Sequence, residues 1–389
     1  AKSFQLYRGK DFFFSSLNKQ VNIIFGGIPM HSVLKNKTVT KEIIDLKSMK
    51  LDPQRLLDTA FCLHEQLNKT IELSAGWSFP VILPENVVLF GMGGSAIGGD
   101  LIRAFALDKS CIPIVTCRDY NVPNFINNRS LCIMSSYSGN TEEILYALEG
   151  CKNKNAVIIS ISAGGKLKDA STAAGICHIS VPAGLLPRAA IGYSFSSIFI
   201  ILVRLGVLPC KISDLAQASS FVEETAKKWA SWDKPEENPP LNLALRLYNK
   251  IPVISGPAGY KETIAYRYKC QFNENSKKIA YCVGFPESNH NEIMGWQDKA
   301  EVLKNMFIVM LRDPEKSTRT EQGMTLFAKQ LEDRVEVSEI NAHGKSMLEK
   351  LLYLILFGDL LTIYTAYLLG RDPAQIDAIY KLKKELERK

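Results

Sequence analysis

The sequence predicts an α/β protein made of two halves, each a parallel sheet flanked by helices. From Asn86 onward, short β-branched or apolar runs recur roughly every 20 to 25 residues, each followed by Gly, Ser or Pro and then a helix-like segment. The same alternation appears again after a break rich in Lys, Glu and Pro. With 389 residues, 46% of them hydrophobic and 22% charged, the chain is long enough for two cores and has an ordinary globular composition.

Residues 1–44 show no sustained periodicity and are expected to form an N-terminal extension. Nearly all of the +7 net charge lies in residues 1–50, so no nucleic-acid surface is expected on the body. From Lys41 to Leu73 the apolar positions Leu56, Leu57, Ala60, Leu63 and Leu67 have helical spacing, with Asp52-Pro53 as a helix start. Strands of the first half are expected at Val87–Phe90, Ile112–Cys117, Leu131–Ser135, Ala156–Ile161 and Ile176–Val181, and a helix near Ser194–Leu205. The segment Trp232-Asp-Lys-Pro-Glu-Glu-Asn-Pro-Pro240 reads as a linker or exposed loop. Strands of the second half are expected at Ile251–Ser255, Ala280–Val283, Met306–Leu311 and Val335–Ile340. This divides the chain into a first domain at 45–215, a linker at 216–240 and a second domain at 241–389 with C-terminal helices. Leu351–Leu369 is nearly long enough to cross a bilayer, but Asp359 interrupts it, so a buried helix and no membrane partner are expected. Nine scattered cysteines without a C-x-x-C pair imply neither a disulfide framework nor a zinc site. Together with the lack of a signal-peptide pattern, they predict a reducing, cytoplasmic location.

Two loops carry the candidate chemistry. Gly91-Met-Gly-Gly-Ser-Ala-Ile-Gly-Gly-Asp100 follows a strand and opens a helix, so its backbone N–H groups and helix dipole suit an anion. Gly91-x-Gly93-x-x-Ala96, with Asp119 after the next strand, also satisfies the dinucleotide fingerprint and leaves an NAD(P)-dependent oxidoreductase as a competing reading. The second loop, Ser135-Ser-Tyr-Ser-Gly-Asn-Thr141, weighs against it. This loop sets the hydroxyls of Ser136, Ser138 and Thr141 at another helix start, an arrangement that suits a phosphomonoester and has no necessary role with a dinucleotide.

With Pro182-Ala-Gly-Leu-Leu-Pro-Arg188-Ala-Ala-Ile-Gly-Tyr193, Asn273-Glu274-Asn-Ser-Lys277, Pro286-Glu-Ser-Asn-His290-Asn-Glu-Ile293 and Ile379-x-x-Leu382-Lys383, these loops resemble the bifunctional phosphoglucose/phosphomannose isomerases over roughly residues 45 to 389. The resemblance implies two flavodoxin-like sugar-isomerase (SIS) domains, no metal or nucleotide cofactor, and a homodimer with a shared active site. It further implies Gly94, Ser95, Ser136, Ser138 and Thr141 as phosphate ligands, and Glu274 as the base that moves a proton between C1 and C2. His290 would open the sugar ring from the neighbouring subunit, Arg188 would steady the enediolate, and Lys383 would assist ring opening. One departure is Asp372-Pro373-Ala374-Gln375, where the family more often carries Thr-Pro after Asp-Pro. A sugar-phosphate-binding protein without catalysis is the remaining alternative, and it would not need Glu274, His290 and Lys383 together.

Overall fold

A computed structural model describes residues 51–231, 235–297, 301–313, 315 and 318–386. The expected N-terminal extension, 1–44, lies outside the described residues, as do Trp232–Lys234 of the expected linker. Helix α1 (Leu56–Phe61) starts three residues after the expected Asp52-Pro53, and the Asp52 carboxylate accepts the N–H groups of Leu56 and Leu57 at 2.8 and 2.9 Å. Helix α2 (Leu63–Ser74) follows, and then β1 (Asn86–Gly91) enters the sheet.

The first half continues with α3 (Gly93–Ala106), β2 (Ile114–Cys117), β3 (Ser130–Ser135), α4 (Glu142–Asn153), β4 (Val157–Ser162), α5 (Gly165–Ala173), β5 (Cys177–Ser180) and α6 (Ile191–Arg204). Its five strands are all parallel in the order β2-β1-β3-β4-β5, the doubly wound arrangement whose strand order reverses between β1 and β3. Ligands of such sheets bind beyond the carboxyl ends of the strands at that switch point.

The second half carries α8 (Pro239–Leu247), β6 (Ile251–Pro257), α9 (Tyr260–Ser276), β7 (Tyr281–Phe285), α10 (Glu292–Gly295), β8 (Met306–Arg312), α11 (Arg319–Leu331), β9 (Glu336–Asn341), α12 (Met347–Leu368) and α13 (Asp377–Leu386). Among the described residues its parallel order, β7-β6-β8-β9, repeats the first half without a fifth strand. All nine expected strands are present, shifted by no more than two residues at either end.

The linker expected at 216–240 is a correction. Residues Ile212–Trp229 form α7, whose Leu215, Ala218, Val222, Ala226 and Trp229 are buried. Spacings of three and four put these side chains on one face, against α2 and α12, while Glu224, Lys227 and Lys228 are exposed. Among the described residues of this stretch, Ala230 and Ser231 lie outside α7, and a short turn at Pro235–Glu237 precedes α8.

One apolar cluster runs through both halves from Leu56 to Leu368, and smaller clusters fill the outer faces of the two sheets. Helix α12 is its spine. It is apolar and long enough to cross a membrane, yet wholly buried against α1, α7, α8 and α9. Its start is fixed by a reciprocal cap in which the Glu349 N–H donates to Ser346 Oγ at 3.1 Å and the Ser346 N–H donates to Glu349 Oε2 at 3.4 Å.

Candidate active site

The carboxyl ends of β1 and β3 bring the two sequence loops together. The Tyr137 N–H donates to Ser95 Oγ at 3.0 Å, which ties the start of α3 to the loop before α4. Ser136 Oγ and Thr141 Oγ1 lie 2.8 Å apart, and Ser138 Oγ accepts the Asn140 N–H at 3.3 Å. Ser95 and Ser136 are buried, Thr141 is half-buried and Ser138 is exposed, so the hydroxyls grade outward from the switch point. Two helix N-termini point their unsatisfied N–H groups and positive dipole ends into this cradle, and among the expected phosphate ligands there is no carboxylate. The arrangement can hold an anion without a lysine.

Gly94 joins the cradle to the next group. A Cβ at this position would sit 2.7 Å from the Pro187 carbonyl oxygen and 2.8 Å from the Arg188 backbone, so only glycine lets α3 approach the turn that carries Arg188. The Arg188 guanidinium is buried and almost fully committed. Its Nε donates to Asn275 Oδ1 at 2.8 Å, and its Nη2 donates to the carbonyls of Pro373 and Ala374 at 2.7 and 3.3 Å. Its Nη1 lies 3.4 Å from Glu274 Oε2. Burial lowers the Arg188 pKa, opposed by the nearby carboxylates of Glu274 and Asp359, and a guanidinium remains charged regardless.

Glu274 sits in the last turn of α9, although the polar run Asn273-Glu-Asn-Ser276 around it reads as a loop rather than a helix face. The reason is a stripe of polar residues on the buried side of the helix. Ile264, Tyr268 and Phe272 face the core in the usual way, but Arg267, Gln271 and Asn275, again four apart, are buried as well. They face α12, where both Arg267 Nη2 and Gln271 Nε2 donate to Asp359, at 2.7 and 2.8 Å to Oδ1, and Arg267 also reaches Oδ2 at 2.8 Å. Asn275 Nδ2 donates to Thr362 Oγ1 at 3.0 Å. The helix ends at Lys277, in the left-handed conformation, and leaves the Glu274 carboxylate partly exposed.

Lys277 closes the other side. Its ammonium donates to the carbonyls of Asn275, at 3.2 Å, and Asp372, while Arg371 donates to the carbonyls of Ser276 and Lys277. With Arg188 these contacts hold the strap at 371–374 against the end of α9. Burial first, then the charge of Arg188, pull the Lys277 pKa down to about 8.

The other two expected catalytic residues stand apart. His290 is exposed after the short turn Glu287–Asn289, and Lys383 is exposed on α13. Among the described residues neither side chain makes a hydrogen bond or ion pair with Arg188 or Glu274. Of the other described histidines, His178 Nδ1 meets Ser160 Oγ at 2.8 Å, His343 lies against the Tyr353 ring, and His64 Nδ1 is buried without a hydrogen-bond partner.

The sequence reading missed the supporting residues Arg267, Gln271, Asn275 and Thr362. One signal for them existed. A lone Asp359 inside an otherwise apolar helix requires a buried cationic partner, and a helix with positions 267, 271 and 275 polar could supply it.

Comparison with known proteins gives a consistent picture. Residues 236–386 match the model of the bacterial phospho-glucose isomerase C-terminal SIS domain. A bifunctional phosphoglucose/phosphomannose isomerase of Caldicellulosiruptor bescii is 38% identical over 334 residues, which cover 85% of this chain and 98% of that protein. One from Thermoplasma volcanium is 37% identical over 311 residues, covering 79% and 94%. Among solved structures, a hypothetical protein from Thermus thermophilus superposes with a TM-score of 0.70 at 14% identity, covering 92% of this chain and 96% of that one, a likeness of fold alone.

Proposed function

This chain belongs to the bifunctional phosphoglucose/phosphomannose isomerase family, and from that premise we propose that it interconverts glucose 6-phosphate and mannose 6-phosphate with fructose 6-phosphate. The observation that carries the reading is the continuous path from the cradle of Ser95, Ser136 and Thr141 through Gly94 to Arg188 and Glu274. In this reading the cradle, with Ser138 and the Gly94 backbone, binds the phosphate. Glu274 takes the proton from C2 of the open-chain aldose, and the electron pair moves through the C1–C2 bond to O1. The resulting enediolate carries its negative charge beside the Arg188 guanidinium. The hydroxyl proton of O2 passes to O1, Glu274 returns its proton to C1, O2 becomes the carbonyl, and fructose 6-phosphate leaves. Glucose and mannose 6-phosphates differ at C2, the carbon made planar in the enediolate, so one site can serve both.

His290 and Lys383 act on the closed ring, and this part of the reading requires a second copy of the chain. His290 is exposed, and α13 presents Ile379, Tyr380, Leu382 and Leu386 to solvent. Lys383 lies four residues from Ile379 and three from Tyr380 and Leu386, on the edge of that apolar face. A homodimer would cover the face and carry one copy's His290 to the other's Glu274. A cytoplasmic location suits a sugar-phosphate substrate and nine unpaired cysteines. Coupled assays with each aldose phosphate test the activity. Turnover of both is expected, and turnover of neither by folded protein would end the proposal.

A further inference from the structure

The two sheets are wound alike, so the second half has a counterpart of the first-half cradle at the carboxyl ends of β6 and β8. Two glycines show which residues correspond. A Cβ on Gly91 would meet the backbone of Ser95 and Ala96 at 2.8 to 3.1 Å, and a Cβ on Gly256 would meet that of Lys261 and Glu262 at 2.9 to 3.2 Å. Lys261 therefore stands at the place of Ser95. Gly91 pairs with Ser135, two residues before Tyr137. Continuing the Ser255–Met310 register by one step sets Gly256 opposite Leu311, two residues before Asp313, so Asp313 stands at the place of Tyr137.

In the first half Ser95 and the Tyr137 N–H bond to each other directly. In the second half a carboxylate lies between their counterparts. Glu321 Oε1 accepts from Lys261 Nζ at 2.8 Å and from the Asp313 N–H at 3.2 Å, and Oε2 pairs with Arg312 Nε at 2.7 Å. Glu321, Lys261 and Asp313 are all buried. Lys350 stands next to them, donating to Asp313 Oδ1 at 3.0 Å and to Glu315 at 2.6 Å. The Tyr260 hydroxyl and Asp313 Oδ2 are buried without a hydrogen-bond partner among the described residues. Burial, then the charges of Asp313 and Glu321, raise the Tyr260 pKa, which places that hydroxyl within their field.

We infer that this is a second oxyanion cradle, suited to inorganic phosphate or a phosphate monoester, which the Glu321 carboxylate fills from within, so that each chain offers one open phosphate site. Two cationic side chains and a backbone N–H converging on one acidic group form the donor set that phosphate takes. A tethered carboxylate competes at high effective concentration, so free phosphate does not displace it. The inference rests on the proposed function only in taking the first cradle as a phosphate site.

Calorimetric titration with inorganic phosphate separates the two cradles. Wild-type chain should take one phosphate, Glu321→Gln two, and Glu321→Gln with Lys261→Met one. A folded Glu321→Gln chain that takes no more than wild type overturns the inference, as does a wild type that takes two. Should Glu321→Gln lower the melting temperature, phosphate at matched ionic strength should raise it more than it raises that of wild type, and an equal rise counts against the inference. A wild type that takes none beside a Glu321→Gln chain that takes one would speak against the first cradle while supporting this one.

Discussion

The Arg188 guanidinium has its Nε and Nη2 held by Asn275 and the 373–374 carbonyls, which leaves Nη1 directed at Glu274. A lysine could not reproduce that fork, so charge alone does not define the position. Lys277 adds a second cation whose state changes in the working range. With its pKa drawn from 10.5 to about 8 beside Arg188, Asp372, Arg371 and Glu274, the folded chain loses this charge as pH rises through about 8. Turnover should therefore decline above that pH, because the enediolate then meets one positive charge fewer. Between about 8 and 10.5 the unfolded chain binds more protons at this residue than the folded chain, so this group adds stability as pH rises through that window. A kcat–pH profile of Lys277→Arg should lack the decline near 8, and an unchanged alkaline limb would rule out Lys277 as its source.

At the scale of elements, α9 and α12 form the rigid part of the site. Their polar contact is buried, and Asp359 holds both Arg267 and Gln271. Arg267 also donates to the Arg188 carbonyl at 3.2 Å, so the pair braces the turn that carries the guanidinium. Asp359→Ala leaves Arg267 as an uncompensated buried charge and is expected to cost about 3 to 5 kcal/mol in denaturant unfolding. A cost below about 1 kcal/mol, the range of exposed pairs, would show that water reaches the interface. This interface also marks the limit of what the sequence discloses. The strands were legible because each is a short apolar run bounded by Gly, Ser or Pro, as Val87–Phe90 is, and the cradle was legible because Ser95, Ser136 and Thr141 lie beside such strand ends. The setting of Glu274 was not, since burial of Arg267, Gln271 and Asn275 gives α9 no clear apolar period. Helix α7 was missed for a different reason: the linker read from the Lys-, Glu- and Pro-rich stretch at Trp232–Pro240 extends back over it, although Leu215, Ala218, Val222, Ala226 and Trp229 keep helical spacing.

At the scale of the molecule, one chain brings Gly94, Arg188 and Glu274 together and leaves His290 and the apolar face of α13 exposed. If two copies share each site, mixing inactive Glu274→Gln chains with inactive His290→Ala chains should restore activity. The mixed dimer would then hold one site with an intact Glu274 from one copy and an intact His290 from the other. A mixture that exchanges subunits yet stays inactive would place both residues of a site in a single copy. The path from cradle to Glu274 bears on chemistry only if that carboxylate moves the proton, and solvent deuterium reports this directly. With glucose 6-phosphate in D2O, wild-type protein should form fructose 6-phosphate carrying deuterium at C1. Glu274→Gln should still bind the sugar phosphate but neither convert it nor incorporate deuterium, whereas incorporation by that variant at the wild-type rate would contradict the assignment of Glu274 as the base.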